Sequence, residues 1–161
     1  MALWEIEKHK IRHAIIFCNR KKDVDTLDRS LRKHGFNSNT LHGNMSQPAR
    51  LETLETFKKG ETKFLVASDV AARGLDIPKV SHVFNFDVPS HAEDYIHRIG
   101  RTGRAGRKGR ALTIGTDKDE KYLDAVYKLI GKKIPILSIE GNLESEFDPP
   151  EKKNSRKKKN S

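Results

Sequence analysis

The chain contains one cysteine, Cys18, so no disulfide framework can staple it. That residue closes the apolar run Ala14-Ile15-Ile16-Phe17 and reads as a small buried thiol, a usage expected of a cytoplasmic protein. No stretch approaches the roughly 18 consecutive apolar residues of a membrane span, and the first residues lack a signal-peptide pattern. Neither a membrane partner nor secretion is expected. No Gly-x-x-x-x-Gly-Lys-Ser/Thr loop occurs, so no segment has the pattern of a self-sufficient phosphate cradle. The seven histidines show no ligand spacing with cysteine or carboxylates, and His9, His13, His34, His42, His82 and His91 read as surface or packing residues, so no metal site is expected. Position alone assembles no serine or cysteine triad. Apolar residues are scarce at 35%, but the deficit is concentrated in the last twenty positions. What the chain has in excess is positive charge. Its 32 lysines and arginines against 22 acids give a net +10, which points to a polyanionic partner.

At 161 residues one globular unit is expected. Residues 1–12 read as a linker or N-terminal extension with more chain before it, and residues 13–138 as the folded domain. Residues 139–161 read as a disordered tail, acidic and then basic (Lys152-Lys-Asn-Ser-Arg-Lys-Lys-Lys159). Within the domain, strand-like runs at 13–18, 38–42, 63–68, 80–87 and 110–116 alternate with segments of helical period. Val24, Leu27 and Leu31 share a face before Gly35, and Leu51, Leu54 and Phe57 do so before Gly60; both glycines suit helix C-termini. Ser90 to Glu93 and Asp117 to Glu120 have capping-box spacing, each before an apolar stripe (Tyr95, Ile96, Ile99; Leu123, Val126, Tyr127, Ile130). This predicts an α/β fold, a mostly parallel sheet with helices on both faces. In such sheets ligands sit beyond the carboxyl ends of the strands.

Two segments carry chemistry. In Tyr95 to Arg110, arginines stand at 98, 101, 104, 107 and 110 and glycines at 100, 103, 106 and 109, a spacing that neither helix nor strand explains. Glycine lets backbone approach an anion, and planar guanidiniums fork onto phosphate oxygens. A solvated arginine-glycine loop that binds RNA loosely is the plainer reading. The second segment, Phe64-Leu-Val-Ala-Ser-Asp-Val-Ala-Ala-Arg-Gly-Leu-Asp76, ends a strand in a hydroxyl and a carboxylate before a small-residue turn. Here Asp69 could simply cap the turn, and Asp76 could pair with a nearby lysine or arginine.

Taken together, ASDVAARGLD and YIHRIGRTGRAGR resemble, in order and spacing, motifs V and VI of the DEAD-box RNA helicases. Ala14-Ile-Ile-Phe-Cys-Asn19 resembles the family's motif IV, and Leu41-His-Gly-Asn-Met-Ser-Gln-Pro-Ala-Arg50 its motif IVa, so the likeness covers roughly residues 13–116. It implies the C-terminal RecA-like lobe of an ATP-dependent helicase, with ATP and Mg²⁺ held mainly by an N-terminal lobe. It further implies that Arg101 and Arg104 are arginine fingers for the γ-phosphate, with His97 and Arg98 coupling the lobes there. By the same resemblance Asp76 contacts the ribose, Gly74 completes the motif V turn, and Arg20, Gly43, Gln47, Arg50, Ser68 and Arg73 serve the RNA backbone. Two positions depart from the family pattern. Arg20 and Ser68 stand where it has threonine; serine keeps the hydroxyl, and arginine substitutes a charge. The competing reading is a stand-alone RNA-binding module without nucleotide chemistry.

Overall fold

The computed structural model describes residues 11, 13–103, 109–137 and 143–146. Five parallel strands form the central sheet: β1 (Ala14–Cys18), β2 (Ser38–Leu41), β3 (Phe64–Ser68), β4 (His82–Asn85) and β5 (Arg110–Thr113), in the order β2-β3-β1-β4-β5. Between them lie helices α1 (Lys21–Lys33), α2 (Gln47–Lys58), α3 (Asp69–Ala72) and α4 (Ala92–Ile99); α5 (Glu120–Ile130) follows β5. All five strands fall within the predicted runs. In register, Ile15 stands beside Leu65 and Val83, and Phe17 beside Ala67 and Asn85.

Alternation along the strands sends side chains to two opposite faces, and each face has its own cover. Ile15, Phe17, Leu65 and Ala67 pack with Leu54 and Phe57 of α2 and Ala71 of α3, whereas Ala14, Ile16, Cys18 and Val66 pack with Val24 and Leu31 of α1. The helices are therefore on both faces, as expected of a parallel sheet. Gly35 (φ 83°) and Gly60 (φ 77°) both take the left-handed conformation after α1 and α2. After α1 the amide of Phe36 donates to the Leu31 carbonyl at 3.0 Å, which satisfies one of the helix's last acceptors.

Three local expectations need correction. Helix α4 is capped at His91 rather than Ser90 and turns Asp94, Tyr95 and Arg98 inward, leaving Ile96 42% exposed. The reason is electrostatic: Arg98 finds acid partners inside that Ile96 cannot use. The second capping box falls one residue earlier, with the amide of Thr116 donating to Asp119 Oδ2 at 2.9 Å. Finally, a strand, β7 (Leu143–Glu146), paired antiparallel with β6 (Pro135–Leu137), falls within the 139–161 segment read as tail. Its polar sequence, Leu-Glu-Ser-Glu, gives no apolar alternation to signal a strand. The tail expectation for residues 139–142 and 147–161, and the linker expectation for residues 1–10 and 12, lie outside the described residues.

Candidate functional site

The site is organised around Arg98, whose guanidinium is 1% exposed. A buried guanidinium must satisfy five N–H donors, and here every one has an acceptor. Nε and Nη2 fork onto the two carboxylate oxygens of Asp69, each at 2.8 Å. The remaining Nη2 proton goes to Asn19 Oδ1 at 2.6 Å, and Nη1 donates to the Asp87 carbonyl at 2.9 Å and to its carboxylate at 3.5 Å. The plane of the charge also lies 5.6 Å from the centre of the Phe17 ring. One side chain of α4 thus ties together the carboxyl ends of β1, β3 and β4.

Further bonds complete the knot. The amide of Asn19 donates to both oxygens of Asp87 at 3.0 Å, and its side-chain nitrogen to the Val88 carbonyl at 2.9 Å. Burial pushes the Asp87 carboxyl above its usual range, against the opposing pull of the Asn19 amide and Arg98. Burial, aided by the negative charge of Asp87, likewise pushes the Cys18 thiol up, which makes it an inert packing group.

Beside this knot, the turn Asp69 to Leu75 and the helix α4 with its following residues line an open cleft of about 220 Å³. Arg73 reaches across it to Asp94 at 2.8 Å, and this hydrogen bond to a carboxylate holds the guanidinium pKa above its ordinary value. Asp94 is buried, while 68% of the His97 side chain is exposed, with Nδ1 3.9 Å from the same carboxylate. Arg101 also lines the cleft and is half-buried; its guanidinium has no hydrogen bond or ion pair to any described residue. An unengaged guanidinium next to two engaged ones can take an incoming phosphate without first breaking a pair.

The other candidate residues lie elsewhere. Gly43 stands exposed in the turn after β2, with nothing within 4 Å of where a Cβ would be, and Gln47 is exposed at the first position of α2. Arg50 is half-buried, and its Nε is enclosed without a partner. The turn after β2 is held to α1 by Lys21 to Asn44 at 3.0 Å and by His42 to Asp25 at 3.2 Å. Arg20 is exposed at the head of α1 and pairs with Asp23 at 3.0 Å. Ser68 is buried, and its hydroxyl accepts the amide of Ala71 at 3.4 Å, so serine rather than Asp69 caps α3.

The structure therefore separates the predicted residues into two sets. Arg73, Gly74, His97, Arg98 and Arg101 meet at the cleft, although Arg73 is grouped with the RNA residues by resemblance. Arg20, Gly43, Gln47 and Arg50 lie off it, on the segments that follow β1 and β2. Asp76 is also outside the cleft, with its side chain 98% exposed and 3.8 Å from Lys58, the pairing that sequence offered as its plainer role. Arg104 falls outside the described residues. Among the described residues no three His, Cys, Asp or Glu side chains cluster to hold a metal ion. Sequence reading missed Asn19, Asp87 and Asp94 as members of the site. The only signal for Asp94 was its place one turn before Arg98 in a helix with a narrow apolar stripe.

Comparison with known proteins follows the same lines. The family described as helicase conserved C-terminal domain matches residues 1–106. Mouse probable ATP-dependent RNA helicase DDX47 is 48% identical over 123 residues, which are 76% of this chain and 27% of the relative. Candida albicans ATP-dependent RNA helicase DBP8 is 44% identical over 136 residues, or 84% and 31% of the two chains. This chain thus spans about 27 to 31% of the length of those curated relatives. Among solved structures, the E. coli DEAD-box protein SrmB bound to the regulator of ribonuclease activity A superposes with a TM-score of 0.79 at 39% identity, covering 89% of this chain and 85% of the chain in that crystal structure. Yeast Dbp5 bound to RNA and ADP BeF3 gives a TM-score of 0.67 at 38% identity, over 75% of this chain and 33% of the other.

Proposed function

This chain belongs to the DEAD-box RNA helicases, as their C-terminal RecA-like domain, and from that premise we propose that it grips the RNA sugar-phosphate backbone and lends arginines to an ATP held mainly by an N-terminal lobe. Closure of the two lobes on RNA, and their reopening after hydrolysis, would drive local strand separation. The observation that carries this reading is Arg101, a guanidinium in the cleft with no partner among the described residues, while its neighbours Arg73 and Arg98 are engaged.

When bound, Mg²⁺-ATP supplies the phosphoryl group whose transfer to water releases the energy, and its metal is assigned to the other lobe. This chain's residues do the rest by position. Arg101 places a planar fork over the equatorial oxygens of the moving phosphate, a contribution typically worth about 10³ to 10⁵ in rate. Arg104 is assigned the companion contact. His97, exposed at the rim, is assigned to the seam between lobes. Arg98 acts through the fold rather than on the phosphate, because all its donors are spent on Asp69, Asp87 and Asn19. Arg73 is a swing residue: its exposed guanidinium can exchange the Asp94 carboxylate for a phosphate oxygen. Asp76 offers its carboxylate to the ribose, and its loose pair with Lys58 costs little to break. Off the cleft, the small profile of Gly43, the amide of Gln47 and the guanidiniums of Arg50 and Arg20 suit contacts to phosphate and sugar, which carry no base preference, and Ser68, buried with its hydroxyl on the Ala71 amide, is assigned to support that grip. A cytoplasmic location is part of the same proposal.

The test uses the full-length protein. Arg101→Lys keeps the charge but loses the fork, and should cut RNA-stimulated turnover about 10³-fold while RNA affinity without nucleotide stays within about two-fold. Arg50→Ala should show the reverse bias. Loss of turnover and RNA affinity in equal proportion by both variants defeats the division of labour.

A further inference from the structure

An arginine that acts on a phosphate must be aimed, and Arg101 stands just past the end of α4, where a chain is ordinarily loose. We propose that Thr102 is the positioning residue that aims it. This inference rests on the proposed role of Arg101 in phosphate binding and goes beyond it.

The geometry is a rivet between two separate segments. Thr102 Oγ1 lies 2.8 Å from the Val80 carbonyl and 2.9 Å from the Ser81 carbonyl, so its one proton serves either or both. In the return direction the amide of Val80, a buried residue, donates to the carbonyl of Arg101 at 2.8 Å, and Val80 and Thr102 form an isolated parallel bridge. On the helix side, the amides of Arg101 and Thr102 still bond back to Arg98 and Ile99 at 3.1 Å. Arg101 is therefore pinned from behind by α4 and from the side by the residues that lead into β4. A third segment seals the rivet. The chain returns at Gly109, packed so closely that a Cβ there would run into the hydroxyl of Thr102 and the amide of Gly103. The next amide, that of Arg110, bonds to the same Ser81 carbonyl at 3.0 Å. A methyl in place of the hydroxyl removes the only side-chain link, among the described residues, between the turn after α4 and the Val80-Ser81 backbone. Displacements on the order of 1 Å at such a point are known to cost about 10²-fold in catalysis.

The experiment compares Thr102→Val, which keeps shape and loses the hydroxyl, with Thr102→Ser, which keeps the hydroxyl, in the full-length protein. Thr102→Val should lower kcat about 10- to 100-fold, with KM for ATP and RNA affinity without nucleotide moved less than about three-fold, and Thr102→Ser should recover turnover to within about three-fold of the parent. Gly109→Ala should reproduce the kcat loss by the opposite route, since the added methyl drives the rivet apart. In the present chain alone, the amide of Val80 should exchange with deuterium about 5- to 10-fold faster in Thr102→Val, while amides of β1 are unchanged. Turnover of Thr102→Val within about two-fold of the parent, a serine variant as slow as the valine one, or unchanged exchange at Val80 each overturns the proposal. An Arg101→Lys arm separates the two levels. If that variant turns over normally, the phosphate role of Arg101 fails; if it is inactive while Thr102→Val is normal, only the aiming role fails.

Discussion

Replacing Arg98 by lysine should unfold this lobe far more readily than replacing Arg101, although both arginines belong to the same motif. Lysine preserves the charge and can remain near Asp69, but its ammonium is a point with three donors, whereas the guanidinium reaches four separate acceptor groups in a plane. At least two acceptors, Asn19 Oδ1 and the Asp87 carbonyl, then lose the bonds now measured at 2.6 and 2.9 Å. Stranding a polar group that water cannot reach costs about 1 to 3 kcal/mol, and since Asn19 is exposed while Asp87 is part-buried, the expected loss for the two is below the full sum, about 2 to 4 kcal/mol. For a domain of this size the urea slope is about 1 to 3 kcal/mol/M, and the unfolding midpoint should fall by about 1 to 2 M. Arg98→Met should be worse, because Asp69 and Asp87, with side chains only 15% and 26% exposed, are left as part-buried carboxylates without a counter-charge, a change worth up to about 5 kcal/mol. Urea titrations of the purified chain, followed by circular dichroism, give all three numbers, with Arg101→Lys as the control expected within about 0.5 kcal/mol of the parent. An Arg98→Lys midpoint within about 0.3 M of the parent would refute the claim that this guanidinium holds the strand ends together.

Other outcomes follow from the charges and from what the lobe lacks. The chain alone should show no RNA-stimulated ATPase above a buffer blank in a phosphate-release assay, with a DEAD-box N-terminal lobe added in trans as the positive arm. Removing residues 151–161, which carry six lysines and arginines, should weaken RNA binding at low salt and flatten the salt dependence by about 3 to 4 log units per log unit, read by fluorescence titration at several ionic strengths. The carboxyl of Asp87, raised above its ordinary 3.8 by burial and by Asp23 despite Arg98 and the Asn19 amide, binds its proton more tightly folded than unfolded. Its favourable contribution is therefore full below 3.8 and lost as pH rises through the higher folded value. Relative to Asp87→Asn, the parent should lose unfolding free energy over that window, measured by denaturation at a series of pH values; a difference independent of pH contradicts the assignment.

The fold was legible because its signals were periodic and local. Apolar runs marked β1 and β3, strand-like patterns marked the other three strands of the sheet, and Gly35 and Gly60 marked two helix ends through a backbone conformation that other residues resist. The functional segments were legible because arginines at every third position make no sense as helix or strand. What the sequence concealed was which arginine faces where. Arg98 and Arg101 are one helical turn apart and chemically identical, and only the acids after β3 and β4, with the amide of Asn19 after β1, decide that the first is buried. Those partners lie 11, 29 and 79 residues away, so no short window along the chain reveals them. Asp76 was a different case. Its alternatives were even from composition, and the fold places it on the surface beside Lys58. The strand Leu143–Glu146 was invisible because a pair of edge strands needs no apolar face to hydrogen-bond.

The position of β1 has a consequence for how the chain comes off the ribosome. It is the central strand of the sheet, buried along its whole length, yet it is the first of the five to be synthesised, and both its neighbours, β3 and β4, are made much later. Until they arrive, Ala14-Ile-Ile-Phe-Cys18 is an apolar segment with free edges on both sides, the pattern that recruits other nascent chains into aggregates. The residues that bracket it are suited to prevent this: Lys8, Lys10 and Arg12 stand before it, and Arg20, Lys21 and Lys22 after it. Such flanking charges act as gatekeepers, since stacking two copies of the strand would bring like charges together at both ends. The basic residues after β1 therefore serve during synthesis as well as in the finished lobe, where Arg20 and Lys21 form the head of α1.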